Sequence, residues 1–247
     1  MKDKLLELKN FVLDLIFPPV CLVCRKRIDV KNNDSFLCYS CFQKIKINNA
    51  AFCPVCSRRL PENEKTCHEG SPFILAAAGF YGDEILDPLI ALLKYQKIKQ
   101  AAVPLGEILS RHLENCKLLL RSNSPEGQIE NFVIVPVPLY WQKERQRGFN
   151  QTDLIAGCLS ENTGLPIVKD ALKRTKNTAS QVELKDKEKR EINVLGCFEV
   201  VKPELVSGKN ILLLDDVFTT GATMKEAASA IKEAGAGKII GLVVAKV

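Results

Sequence analysis

The chain predicts an α/β fold on a parallel sheet with a small cysteine-rich module at its amino terminus, and three observations carry that prediction. From residue 73 onward, short aliphatic runs alternate with amphipathic helical stretches, the pattern of parallel strands joined by crossing helices. One run, Ile211 to Leu214, delivers two adjacent carboxylates, Asp215 and Asp216, and then a hydroxyl-rich turn that opens onto a helix. The first 72 residues hold seven of the ten cysteines, six of them in Cys-x2-Cys pairs. A length of 247 residues accommodates one α/β domain with an appendage, and a hydrophobic fraction of 46% supplies its core. The expected division is residues 1–72 and residues 73–247.

At the amino terminus, Leu5, Leu8, Val12, Leu15 and Ile16 fall at helical spacing before Pro18 and Pro19 stop the helix. Glu7, Lys9 and Asp14 interrupt the apolar stretch, so it reads as a helix packing on the protein rather than a signal peptide or an integral membrane segment. Cys21-x2-Cys24 and Cys38-x2-Cys41 form two knuckles whose four thiolates complete a tetrahedral zinc shell. The segment between Arg25 and Ser35 has few large aliphatics and needs such a staple to stay folded. This spacing argues for metal over disulfides, hence a reducing compartment and a cytoplasmic protein.

Cys53-x2-Cys56 is followed by Cys67 and His68, but a clean ribbon would place a further cysteine at position 70, which is glycine. Cys53, Cys56 and Cys67 with His68 or Glu69 make a candidate second zinc site, in which adjacent ligands at 67 and 68 demand an unusual turn. Interleaved use of the three cysteine pairs is the alternative. Cys116, Cys158 and Cys197 read as small buried residues.

The elements then follow in order. Phe73 to Tyr81 is a strand; Asp83 to Tyr95, with Leu86, Leu89, Ile90 and Leu93 in helical register, and Val103 to Leu120 are helices. Ser122 to Gly127 is linker-like. Phe132 to Val137 is a buried strand whose exit loop holds Tyr140, Trp141, Lys143, Arg145 and Arg147. A helix over Gln151 to Asn162, a strand near Ile167 and a polar stretch from Lys173 to Arg190 precede the acidic unit, and Ile239 to Val244 is the last buried strand. Trp141 and Phe149 read as packing aromatics.

Formal charge is +6, which one four-thiolate zinc site lowers to about +4. The local clusters Arg25-Lys26-Arg27, Arg58-Arg59 and Lys143, Arg145, Arg147 suit phosphates, whether of a nucleotide or of a nucleic-acid backbone.

Ile211 to Leu214, buried on both faces, sets Asp215 and Asp216 at the carboxyl edge of the sheet, where open α/β folds bind ligands. Acceptor-only oxygens there suit the paired hydroxyls of a ribose or a hydrated Mg2+. Thr219 to Thr223 then offer backbone N–H groups and three hydroxyls around Gly221, with the positive end of a helix starting near Ala222 aimed at the same place. Helix capping alone needs one hydroxyl or carboxylate, and this turn carries far more. The chain has no Gly-x-x-x-x-Gly-Lys-Ser/Thr and no Gly-x-Gly-x-x-Gly after a strand, which removes support for a P-loop ATPase or a Rossmann dehydrogenase.

Ile211 to Thr223 resembles the type I phosphoribosyltransferase signature. Together with Val135-Pro136-Val137-Pro138, Arg147-Gly148-Phe149-Asn150-Gln151, Arg174 with Gln181, Arg190 with Asn193, and Lys94-Tyr95-x-Lys97, it is similar to the ComF family of ComFC-like amidophosphoribosyltransferase homologues, which also carry amino-terminal cysteine pairs. The resemblance implies a type I phosphoribosyltransferase domain behind a zinc ribbon. It implies that Asp215 and Asp216, the candidate catalytic carboxylates, accept from the 2- and 3-hydroxyls of phosphoribosyl pyrophosphate (PRPP) and hold Mg2+ through water. Thr219, Thr220, Gly221, Ala222 and Thr223 would bind the 5-phosphate, Leu139 to Arg147 would form the pyrophosphate loop with Lys143, Arg145 and Arg147, and Arg174 would add a contact from a loop that closes over the site. The family context implies single-stranded DNA and competence proteins as partners in DNA uptake. A non-catalytic PRPP or nucleotide sensor and DNA-binding adaptor is the alternative.

Overall fold

Four aliphatic strands paired in parallel form the centre of the molecule. The computed structural model describes residues 18–28, 36–61, 66–68, 70–116, 131–177 and 196–247. The amino-terminal helix, Glu69, the Ser122 to Gly127 linker and Gln181, Arg190 and Asn193 lie outside the described residues. In chain order the elements are α1 (Tyr39–Phe42), β1 (Ala51–Phe52), β2 (Arg59–Leu60), β3 (Ile74–Phe80), α2 (Leu86–Lys94), α3 (Ala102–Asn115), β4 (Phe132–Pro136), α4 (Trp141–Arg147), α5 (Gln151–Thr163), β5 (Leu172–Arg174), β6 (Phe198–Val200), β7 (Asn210–Phe218), α6 (Ala222–Glu233) and β8 (Ile239–Lys246).

The main sheet has the order β2-β1-β3-β8-β7-β4. The strands β3, β8, β7 and β4 pair in parallel, while β1 and β2 are antiparallel. Along β7, side chains alternate between faces. Leu212 and Leu214 join the core of Leu86, Leu89, Leu93, Leu105 and Ile155 from α2, α3 and α5. Ile211 and Leu213 join the core of Met224, Ala227, Ala228 and Ile231 from α6, to which Leu172 and Phe198 of the small β5–β6 pair also belong. The result is a sheet covered on both faces, as parallel strands require.

The cysteine module does not hang free of this domain. Its hairpin β1–β2 adds to the edge of β3, with Ala51 opposite Ala76 and Phe52 opposite Leu75. Cys21, Leu37, Cys41 and Phe42 belong to the same core cluster as α2 and α3. Asn48 stitches the connection: its backbone N–H donates to Ala78 O at 2.7 Å, its side-chain amide donates to Ala50 O and Ala77 O, and its carbonyl meets Nδ1 of the buried His112 at 2.6 Å. Burial holds His112 below the usual histidine range, so it sits neutral with Nδ1 as donor.

Two expectations are revised. The exit of β4 is not a loop throughout, because Trp141 to Arg147 winds into a helix that buries none of its residues. The strand near Ile167 is a single bridge to Ile134.

Candidate functional site

Unequal strand lengths open the site. Pairing of β4 with β7 ends at Pro136 and Leu214, and Val137 N–H donates to Leu214 O, while β7 continues beside β8 as far as Phe218. Asp215 and Asp216 therefore lie within β7, on a stretch that β4 no longer covers. Alternation sends them to opposite faces. Asp216 follows Leu212 and Leu214 toward α2, and Asp215 follows Ile211 and Leu213 toward α6 and β5. Both line one cleft of about 850 Å3.

The cleft gathers Lys143, Arg147, Arg174, Asp215, Asp216, Thr219, Gly221 and Thr223. Thr220 does not line it, Ala222 is buried as the first residue of α6, and Arg145 is exposed on α4 away from the cleft wall. At the turn, Gly221 caps α6 with φ +79°, and a Cβ there would fall 2.5 Å from Cζ of Phe218. Only glycine lets the chain pass this tightly into the helix, whose first turn brings Thr223 and Met224 to the cleft.

The acidic pair is electrostatically divided. Lys94, the last residue of α2, places Nζ 2.8 Å from Asp216 Oδ1. Burial pushes the Lys94 ammonium down, but the carboxylates of Asp216 and Asp215 outweigh it and hold it above the usual lysine range. Asp215 is pushed up to about 7 by burial and by the neighbouring Asp216 charge, against opposing pulls from Lys94 and Arg174. Asp216 Oδ2 is buried and has no hydrogen-bond partner among the described residues. Arg174, whose guanidinium lies over the Phe198 ring at 5.3 Å, is lowered by burial.

On the opposite wall, the buried side chains of Asn150 and Thr152 both donate to Val137 O, at 3.3 and 2.7 Å, and so fix the chain as it leaves β4. Arg147 donates to Gln151 Oε1, and Gly148, left-handed at φ +88°, ends α4. Lys97 donates to Gln146 O at 2.9 Å and ties the end of α2 to α4 across the cleft mouth. Phe149 packs in the core as expected, whereas Trp141 is 55% exposed and packs no core, because α4 lies outside it.

The cysteines sort into two clusters rather than interleaving: Cys21, Cys24, Cys38 and Cys41, and Cys53, Cys56, Cys67 and His68, each with ligand atoms within 4.8 Å of one another. A zinc tetrahedron with ~2.3 Å bonds spaces its sulfurs about 3.8 Å apart. Cys24 and Cys38 Sγ are 3.6 Å apart, Cys56 and Cys67 Sγ 3.4 Å, and His68 Nδ1 is 3.4 Å from both Cys53 and Cys67 Sγ, so both sets fit the ion. The two lead knuckles share one backbone. Arg25 N–H returns to Cys21 O and Ser57 N–H to Cys53 O, Cys21 N–H reaches Lys26 O and Cys53 N–H reaches Arg58 O, and Arg25 and Ser57 both take positive φ. Burial pushes the Cys21 and Cys53 thiols up, but the backbone N–H groups of the knuckles outweigh it and bring each down to about 6. Burial and the neighbouring cysteines push Cys41 up. A divalent cation binds all four cysteines of the first set as thiolates.

Residues 12–70 match the double zinc ribbon domain and residues 139–246 the phosphoribosyl transferase domain. The chain is 29% identical over 225 residues to competence protein F of Haemophilus influenzae, spanning 89% of this chain and 93% of that protein. It is 27% identical over 235 residues to competence protein ComFC of Bacillus subtilis, spanning 87% and 90%. The chain is a ComF homologue. The DNA utilization protein YhgH of Escherichia coli is also similar, at 28% over 222 residues, 82% of this chain and 93% of that protein. Among solved structures, a glutamine PRPP amidotransferase from B. subtilis aligns at 21% identity and TM-score 0.34 over 56% of this chain and 25% of its own.

Lys94 and Lys97 are the residues of this ComF homologue whose partners the sequence does not disclose. Lys94-Tyr95-x-Lys97 stands out as a motif, but its chemistry depends on α2 packing over β7, which brings Lys94 to Asp216. The usable signal is a lysine ending an amphipathic helix in a protein with an otherwise unbalanced acidic pair.

Proposed function

We propose that this ComF homologue binds PRPP, or a closely related ribose phosphate, together with Mg2+ in the cleft beside β7, and that it serves the handling of single-stranded DNA during DNA uptake. The observation that carries the first part is that one cleft holds both carboxylates of the β7 end and the hydroxyl turn before α6, with Lys143, Arg147 and Arg174 around them. The names of the relatives, competence and DNA utilization proteins, support the second part.

In this reading the free oxygen of Asp216 accepts from a ribose hydroxyl, and the turn from Thr219 to Thr223 receives the terminal phosphoryl group at the positive end of α6. Lys143 and Arg147 face the diphosphate, where cationic donors stabilise the charge that leaves C1 of the sugar. Asp215 and Asp216 face the ring, where positive charge develops. The donor set fits a hydrated divalent cation carried by the diphosphate, and Mg2+, when bound, neutralises the departing pyrophosphate.

A second reading, ligand binding and DNA binding without turnover, is favoured by Trp141. It stands 55% exposed against Tyr140, on the same short helix as Lys143 and Arg145, an arrangement suited to stacking a base beside a phosphate backbone. Titration with PRPP and Mg2+, with pyrophosphate release followed with and without amine and nucleobase acceptors, separates the readings. Release that is acceptor-dependent and lost in Asp215→Ala/Asp216→Ala supports the enzyme; binding alone supports the sensor; no binding at millimolar PRPP removes both. A gel shift with single-stranded DNA, comparing Trp141→Ala and the chelated protein with wild type, assigns the DNA face to α4 or to the ribbons.

A further inference from the structure

We infer that Lys94 is a positioning residue that turns Asp216 into a one-sided acceptor for the hydroxyls of a ribose phosphate; the inference rests on the cleft reading given above. Helix α2 buries Leu86, Leu89, Ile90, Leu92 and Leu93, so its position over the sheet is fixed, and its last residue is Lys94. A cation at a helix C-terminus is favoured by the helix dipole. Alternation along β7 turns Asp216 toward that same face, and the two meet at 2.8 Å with side chains 19% and 7% exposed.

The consequence is geometric. An ion pair this desolvated is a strong, directional hydrogen bond, and it fixes the plane of the carboxylate. With Oδ1 held by Lys94, Oδ2 is left buried and without a partner among the described residues, on a residue that lines the cleft. A buried acceptor without a donor is costly, and a ligand hydroxyl relieves that cost. Without Lys94, Asp216 would lose the cation it pairs with beside Asp215, and with it the fixed plane. Lys94 thus acts on the ligand through Asp216, and it reads the sugar hydroxyls rather than the phosphoryl group.

Two probes isolate this. Ribose 5-phosphate carries the hydroxyls, whereas tetrahydrofurfuryl phosphate keeps the ring and phosphoryl group and lacks them. By calorimetric titration, wild type should bind the first at least about tenfold tighter, the size expected for one charge-assisted hydrogen bond. Lys94→Met should remove that preference by weakening ribose 5-phosphate alone, and Lys94→Arg should restore most of it. In the background of Asp216→Asn, adding Lys94→Met should change neither affinity, because the lysine acts only through the carboxylate. Where either single variant fails to fold, the double variant, which leaves neither Lys94 nor Asp216 as a lone charge, is compared with wild type directly and should show no preference between the probes. An unchanged preference in Lys94→Met, equal weakening of both probes, or a further loss in the double variant overturns the inference. If wild type binds neither probe, the ribose phosphate cleft itself fails and the role of Lys94 falls with it. If wild type binds both equally, the cleft stands as a phosphate site and only the role of Lys94 falls.

Discussion

Each zinc cluster closes within a short length of chain, whereas the cleft is assembled from α2, the exit of β4, β5, β7 and the start of α6. In the clusters, Cys24 meets Cys38 only 14 residues on and Cys56 meets Cys67 only 11 residues on, and backbone turns of the knuckles set the geometry. In the cleft, Lys94 and Asp216 come from distant parts of the chain, and the geometry is set by how a helix packs over a strand. A site of the first kind needs its ion to stay folded; one of the second kind needs the sheet. The two should therefore fail separately, although Asn48 and the β1–β3 pairing join them.

The largest test is chelation. A structural zinc contributes on the order of 10 kcal/mol to segments of this kind. Stripping the metal should speed amide hydrogen exchange by several orders of magnitude at Cys21 to Ile28 and at Phe52 to Leu60, while β7 and β8 keep their protection. Collapse of protection in β7 alongside the knuckles would break the distinction and make the ribbons part of one folding unit with the sheet.

The converse test is Gly221→Ala. A left-handed alanine costs about 1–2 kcal/mol, and its Cβ would press on Phe218, so the turn must shift. Affinity for ribose 5-phosphate should fall at least about tenfold, with zinc content unchanged. Unaltered affinity would remove the phosphate from this turn.

The same contrast explains what the sequence discloses. Cys-x2-Cys spacing is itself the geometry of a knuckle, so the first zinc set is legible from spacing alone, and Asp215 with the turn after it is legible because strand, carboxylate and helix start are contiguous. Lys94 is not, because its role exists only once α2 lies over the face of Leu212 and Leu214. The helix α4 escapes a reading based on apolar periodicity because Trp-Gln-Lys-Glu-Arg-Gln-Arg buries nothing; it forms on intrinsic helix propensity and a glycine stop. The edge addition of β1 to β3 escapes for another reason: two-residue strands are too short to alternate.

A pH profile sharpens the cleft side by a smaller margin. Asp215 is pushed up to about 7 in the folded protein, against about 3.9 for an unfolded aspartate. Between these values the fold keeps a proton that the unfolded chain has released, so the contribution of Asp215 favours folding at acid pH and is lost as pH rises through 7. Asp215→Asn removes the titration. In zinc-loaded protein, the Tm of Asp215→Asn relative to wild type should therefore rise from pH 5 to pH 8, at about 2–4 °C per kcal/mol for a chain of this size. A difference that stays flat across that range would mean that Asp215 ionises as an ordinary carboxylate.

The smallest effect belongs to the ribbons. Arg25 and Ser57 occupy the same position after the second cysteine of their knuckles and share positive φ, at 62° and 58°. Neither residue is favoured there, since the Cβ of an L residue crowds its own carbonyl, and glycine removes that crowding. Arg25→Gly and Ser57→Gly should each stabilise the knuckle by up to about 1 kcal/mol, less the extra entropy that glycine gives the unfolded chain. Because the strain lies within the knuckle, the gain should appear as slower zinc loss to a chelator and as slower amide exchange at the substituted knuckle alone. Equal slowing at both knuckles from either substitution would show the two ribbons coupled, and no change would mean that the ion, rather than the backbone turn, dictates the geometry of each cluster.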